Sequence, residues 1–225
     1  MIFGKIDYLN LLPFHVFLKG TNLQSSQKAA IEWKKGVPSK LCGELKKRRV
    51  DAAVISSVEA NLPRFRRVGL GICAFGDVKS VLVRKNSPLK FDPASRTSNA
   101  LARLLGLNGE VLIGDRALKA LLSEGEEAFF DLANEWKKRH KLPFVFGILT
   151  LNGRCEKLER LAKKFVRKKV KIPRFVLESY AKSRGVSCEQ ILWYLGFIYY
   201  KMEQKEWRSL RKFYFELRNK TPKMR

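Results

Sequence analysis

Through the first 150 residues, short continuous apolar runs alternate with stretches in which apolar side chains recur at helical spacing. That alternation restricts what the chain can fold into more than any other feature. Residues 2–6, 50–55, 67–75, 78–84, 112–113 and 142–149 are short apolar runs rich in Ile, Val and Phe, which predicts buried strands. Between them, Leu41 with Leu45, Leu101 with Leu104 and Leu105, and Ala117 with Leu118 and Leu121 each mark one face of a helix. Residues 129–138 read as a further amphipathic helix, ending in the basic residues that a helix dipole favours. From Glu156 on, the pattern is helical throughout: Leu158, Leu161, Phe165 and Val166, then Ile191, Leu192 and Leu195, then Trp207, Leu210, Phe213, Tyr214 and Leu217. Strands alternating with helices, followed by a helical tail, predict an α/β class. There is no internal repeat and no low-complexity linker.

Small polar residues collect where these strands end. In α/β sheets the loops at the strands' carboxyl ends are where ligands bind. Asn10 follows the first strand, and Pro13 disfavours helix at Leu12, so a loop is expected there. The Asn10 side chain offers both an amide donor and a carbonyl acceptor; it serves a ligand or closes a turn equally well. Ser56 and Ser57 stand where a strand hands over to a helix, as anion donors or as caps. Lys79 and Ser80 interrupt an apolar run and matter only if that strand end opens into a cleft. Ser95, Arg96, Thr97 and Ser98 gather at the start of the Leu101 helix. Free backbone N–H groups there make an anion seat, although capping by Ser95 or Thr97 is the commoner role of such residues. Asp115, at the end of the 112–113 strand, reads as a cap of the next helix.

The chain carries 46 Lys and Arg against 21 Asp and Glu, a net charge of +25. That balance suits nucleic acid, an anionic membrane or an anionic small substrate. The densest basic run, residues 160–174, keeps a helical apolar stripe and reads as a solvated basic face. No apolar run reaches the length of a membrane span. Met1 leads straight into the first strand without a signal-like segment, and the four cysteines (Cys42, Cys73, Cys155, Cys188) form no CxxC pair. A reducing, cytoplasmic setting without a metal motif is therefore expected. Of the two histidines, His140 ends a cationic helix and reads as a surface residue, while His15 lies close to the Asn10 loop.

Six segments, in order and with sensible gaps, line up with one family. They are Gly4-Lys-Ile-Asp-Tyr-Leu-Asn10; Val37-Pro-Ser39 with Asp51-Ala-Ala-Val-Ile-Ser-Ser-Val-Glu59; Lys79-Ser-Val-Leu-Val83; Ser95-Arg-Thr-Ser98; Ile113-Gly-Asp-Arg-Ala-Leu118; and Asp131-Leu132 with Trp136 and Leu142-Pro-Phe-Val145. The set resembles the chorismate dehydratase family of menaquinone biosynthesis (the futalosine pathway) over nearly the whole chain, least distinctively in the tail. The resemblance implies a type II periplasmic-binding-protein-like fold, with two α/β lobes, a cleft between them and a helical C-terminal tail. Crossings near Lys85 and residues 144–148 would divide the chain into lobe I, residues 1–85 plus 145–225, and lobe II, residues 86–144.

It also implies a hydro-lyase that needs no cofactor and no metal, removing water from chorismate to give 3-(1-carboxyvinyloxy)benzoate. Chorismate carries two carboxylates, and loss of its ring C3 proton and C4 hydroxyl makes the ring aromatic. The drive lies in the substrate, so the protein's task is to select this path over rearrangement or loss of pyruvate. Asn10 and Ser80 would be catalytic, with Ser56, Ser57, Arg96, Thr97, Ser98 and Asp115 binding substrate. None of the small polar residues in this set has a side-chain pKa near neutrality. The expectation is therefore that the enolpyruvyl carboxylate of the substrate takes the ring proton while Asn10 and Ser80 orient it and the departing hydroxyl. His15 is the alternative base; that role predicts that His15→Gln abolishes activity. Ala133 stands where the family pattern has glycine, and residues 147–149 replace a segment that carries tryptophan; both bear on substrate shape. Competing readings are a non-catalytic cytoplasmic sensor of the same fold for a small carboxylate, the related naphthoate synthase, whose opening motif differs, and nucleic-acid binding, for which no module is present.

Overall fold

The computed structural model describes residues 2–220 and resolves the alternation into two sheets. The chain runs β1 (Phe3–Ile6), α1 (Leu12–Lys19), α2 (Ser25–Trp33), β2 (Lys35–Gly36), α3 (Pro38–Lys46), β3 (Ala52–Ser56), α4 (Ser57–Ala60) and β4 (Arg66–Ala74). It continues through β5 (Val81–Arg84), α5 (Arg96–Leu105), β6 (Glu110–Ile113), α6 (Gly114–Glu124), β7 (Phe129–Asp131), α7 (Leu132–His140) and β8 (Phe144–Leu151). The tail is α8 (Glu156–Phe165), α9 (Arg174–Arg184), α10 (Cys188–Leu195), β9 (Tyr199–Lys201) and α11 (Gln204–Lys220).

The larger sheet has the order β2-β1-β3-β8-β4-β9 and the smaller the order β6-β5-β7. β1, β2 and β3 pair in parallel, whereas β3–β8, β4–β8 and β4–β9 are antiparallel. Every residue of β1, β3 and β8 is buried, which accounts for their continuous apolar runs. The parallel step from β1 to β3 needs a crossover, and α3 completes it with Leu41 and Leu45 inward. A side chain on Gly4 would come within 3.0 Å of Leu41, so glycine there lets α3 settle directly on the sheet.

β4 and β8 connect the two sheets. Ala74 pairs with Phe144, so the outgoing and returning passages lie side by side. The outgoing passage falls at residues 75–80, ahead of the crossing expected near Lys85, because Val81–Arg84 pair with both β6 and β7. The helix expected over 129–138 also changes. Phe129, Phe130 and Asp131 pair with β5 as an edge strand. Asp131 then caps α7, its carboxylate accepting from the N–H groups of Ala133 and Asn134, and so the helix begins at Leu132. In the tail, β9 interrupts the helices and adds an edge strand to β4.

α11 packs over β8 of the larger sheet and over α5, which lies against β6 of the smaller one. The Trp136 indole donates 2.9 Å to Ser209, whose hydroxyl bonds the carbonyl of Pro143. His140 is not a surface residue: its ring lies 4.0 Å from that of Trp136 and 3.3 Å from a Glu216 oxygen. Burial lowers its pKa. Among the described residues no helix is long and apolar enough to cross a membrane.

Candidate active site

A partly open cavity of about 40 Å³ lies between the two sheets. Its floor is the hinge region of the larger sheet, with Ile55, Ile72, Phe146 and Gly147. Val81, Ile113 and Gly114 close it from the smaller sheet, and Ile6, Tyr8 and Pro38 from the opposite side. Into this apolar box point the side chains of Asn10, Ser56, Ser95 and Ser98, and no charged residue lines it. The chain's +25 charge therefore stays outside this cavity.

Asn10 sits in a 3-10 turn, Leu9–Leu11, that leads directly into α1, with Pro13 in that helix's first turn where its missing N–H costs nothing. The expected loop is thus a tight helical turn. Its backbone carbonyl accepts 2.7 Å from the Tyr200 hydroxyl, while its side-chain Oδ1 is buried without a hydrogen-bond partner. An unpaired buried carbonyl costs roughly 1–3 kcal/mol. That penalty is removed when a ligand supplies a donor.

The start of α5 is both cap and wall. Ser95 is the N-cap, accepting from the Ser98 N–H at 3.2 Å, and its oxygen also shares a 2.9 Å bond with the Ser98 hydroxyl. Thr97 is wholly buried and pins α5 to the β3–α4 junction. Its Oγ1 accepts from the Val58 N–H at 3.0 Å and lies 3.1 Å from the Ser57 hydroxyl and 2.5 Å from that of Ser56. The Thr97 N–H donates 2.9 Å to Ser56. With Val58 and Ser57 donating, both lone pairs of Thr97 Oγ1 are used and its proton goes to Ser56. Ser56 then has both lone pairs occupied and one proton left to offer the cavity. The backbone N–H groups of Thr97 and Ser98 are spent on side chains, so the anion seat consists of hydroxyls rather than the open helix end.

The other expected site residues lie elsewhere. Ser57 and Thr97 stand behind the wall. Ser80 is buried next to Val81, its Oγ accepting 2.8 Å from Tyr194 and its carbonyl accepting from the Gly114 N–H. The Arg96 side chain is 68% exposed and 3.7 Å from Glu59, outside the cavity. Asp115 does not cap its helix; it accepts from the Leu9 N–H at 2.9 Å and from Arg184 at 3.1 Å, tying α6 to the turn that carries Asn10. Burial raises its pKa, and these two bonds oppose the shift. His15 is not a cleft base. It lies in the core between Phe3 and Phe14 with neither ring nitrogen bonded, and burial, aided by Lys5, lowers its pKa to about 3.

Residues 1–109 and 106–219 match the family model described as menaquinone biosynthesis. The chain belongs to that family. A Campylobacter jejuni subsp. jejuni (serotype O:23/36, strain 81-176) protein named chorismate dehydratase is 45% identical over 214 residues, 95% of this chain and 96% of that one. Among solved structures, a protein of Archaeoglobus fulgidus superposes with a TM-score of 0.70 at 15% identity, over 97% of this chain and 96% of its own. An ABC transporter protein of Parabacteroides distasonis follows at 0.61 and 16%, over 99% and 94%. The alkanesulfonate-binding protein of Xanthomonas axonopodis pv. citri, bound to MOPS, gives 0.55 and 10%, over 97% and 93%. These likenesses establish the type II periplasmic-binding-protein-like fold, two α/β lobes closing on a cleft.

Within this menaquinone biosynthesis protein, the cavity suits a small, partly apolar molecule with polar ends. Tyr8 and Ser95 line it although neither was expected to bind substrate; both lay inside matched segments, and Ser95 stood among the hydroxyls of the anion seat with capping as its commoner role. The residues that brace the site from the tail left no local signal at all.

Proposed function

We propose that this cavity binds chorismate and eliminates water to give 3-(1-carboxyvinyloxy)benzoate, as a carbon–oxygen hydro-lyase of the futalosine route to menaquinone, working in the cytoplasm. The carrying observation is the buried, unpartnered Oδ1 of Asn10 in an apolar cavity whose other polar groups are neutral hydroxyls. The 45% identical relative named chorismate dehydratase supports the substrate. Four cysteines without a disulfide fit a reducing compartment.

At about 40 Å³ the cavity is too small for chorismate as it stands. Substrate therefore enters with the lobes parted at the paired passages, residues 75–80 and 141–143, and is enclosed when they close. Ser56 and one hydroxyl of the Ser95–Ser98 pair offer protons to the carboxylates, and the apolar walls take the ring. No side chain in the cavity is an ordinary base, and no cation steadies a negative charge there. Desolvation without a cation raises the pKa of a carboxylate. The enolpyruvyl carboxylate is thereby a stronger base in the cavity than in water; it takes the ring C3 proton and passes it to the C4 hydroxyl, which departs as water, so the carboxylate is regenerated. Asn10 has the amide donor to orient that carboxylate and an acceptor, Oδ1, for the proton of the intact C4 hydroxyl in the bound substrate, while Ser80 acts through the wall at Val81 and Gly114.

The test is to mix purified, metal-stripped protein with chorismate and follow the product by chromatography and mass. Loss of one water without an added cofactor is expected, and Asn10→Ala should lower kcat by about 100-fold. Turnover by Asn10→Ala within a few-fold of the parent would remove Asn10 from the chemistry. Tight binding of intact chorismate by the parent protein would favour the sensor reading instead.

A further inference from the structure

Four residues of the C-terminal tail each bond a different residue at or behind the cleft wall. Arg184 holds Asp115, Tyr194 donates 2.8 Å to Ser80 Oγ, Tyr200 donates 2.7 Å to the Asn10 carbonyl, and Tyr214 donates 2.5 Å to the Ser57 carbonyl. None of the four lines the cavity. The Asn10 side-chain oxygen has no partner of its own, so no bond from that atom sets the direction of the amide. Its aim is inherited from the backbone of the 3-10 turn, which Asp115 holds at the Leu9 N–H and Tyr200 holds at the carbonyl of Asn10 itself. Ser80 Oγ accepts the Tyr194 proton, which fixes where its own proton can point. Burial raises the pKa of both phenols, so each remains a donor across the working pH range.

We infer that Tyr200 and Tyr194 are positioning residues for the dehydration, Tyr200 aiming Asn10 and Tyr194 holding Ser80, and with it the wall at Val81 and Gly114, from a tail that never touches the substrate. The inference rests on the dehydratase reading and deepens it. A phenol-to-phenyl change keeps the ring and its packing and deletes only the bond that sets direction. Displacing a reacting group by even 1 Å costs up to about 100-fold in rate.

The experiment compares Tyr200→Phe, Asn10→Ala and the double variant for kcat, KM, melting temperature and product identity with chorismate. Tyr199→Phe is the control, because Tyr199 donates an equally buried 2.8 Å bond to Glu206 within the tail and touches no site residue. Tyr200→Phe is expected to lower kcat about tenfold or more with KM little changed. A larger share of product should come from rearrangement or pyruvate loss, and melting should stay within a few degrees of the parent. In the Asn10→Ala background the same change should cost nothing further, since Tyr200 acts through Asn10. Tyr199→Phe should keep parental turnover.

Parental kcat in Tyr200→Phe, or an equal loss in both backgrounds, overturns the inference for that pair. If Tyr200→Phe fails to fold, Tyr194→Phe with and without Ser80→Ala gives the same cycle, and additivity there overturns it. A parent protein that leaves chorismate intact defeats the dehydratase reading itself, a separate outcome visible before any variant is made.

Discussion

Gly114 has φ of +62°, and a Cβ there would lie 3.0 Å from three carbons of the Tyr8 ring. The two residues come from opposite lobes, so the bare glycine lets the cleft shut. Gly114→Ala adds both the backbone strain of a left-handed residue and a clash that closure alone creates. It should raise KM for chorismate about tenfold, with a smaller effect on kcat, as steady-state kinetics would show. His15 makes a second case at this scale. Its folded pKa, about 3, lies below the ordinary 6.5, so its neutral form stabilises the fold above pH 6.5 and that stability is lost as pH falls toward 3. His15→Leu removes two buried nitrogens without partners and the titration with them. Denaturation measured between pH 7 and pH 4 should show a flatter stability profile for the variant, with turnover at neutral pH retained; a flat parental profile would contradict the assignment.

At the scale of elements, the α5 start and the β3–α4 junction are joined by the hydroxyl of Thr97, which bonds three consecutive residues about 40 positions away, Ser56, Ser57 and Val58. Thr97→Val keeps the shape and leaves the Val58 N–H and the Ser57 hydroxyl without their acceptor. At roughly 1–3 kcal/mol for a buried unsatisfied group, a loss of about 3 kcal/mol is expected. It should appear as a lower urea midpoint at unchanged slope, and Thr97→Ser should restore most of it. The helix itself was legible in sequence, from the spacing of Leu101, Leu104 and Leu105 and the cap residues before it. The strand β7 was not, because Phe129-Phe130-Asp131 joins smoothly onto the helical pattern of α7. Only pairing with β5 and the capping role of Asp131 separate the two. β9 was hidden likewise, three residues between helices whose strand character exists only beside β4.

For the whole molecule, the excess of positive charge lies on the outside. Lys164, Lys168, Lys169 and Lys171 are exposed and border an open groove beside α1, while the cavity has no cation. A field of this sign draws a dianionic substrate in from solution without contributing to its final seat. Raising salt from about 20 to 200 mM, across which screening becomes strong, should therefore lower kcat/KM several-fold and leave kcat unchanged. An unchanged kcat/KM would mean that encounter is not steered.

The sequence by itself determined the α/β class, the main strands and helices, and the segments from which the cleft is drawn. These follow from apolar period, capping and turn chemistry, which act over a few residues. Tertiary structure decided which polar groups face the cavity. Ser56, Ser95 and Ser98 were turned inward, while Ser57, Thr97 and Ser80 were kept behind the wall and Arg96 and Asp115 outside it. A hydroxyl's direction depends on its partner, and here the partners are remote: Tyr194 lies 114 residues from Ser80, and Tyr200 lies 190 residues from Asn10. No local pattern encodes a bond of that reach; it exists only once the tail has packed against the closed lobes.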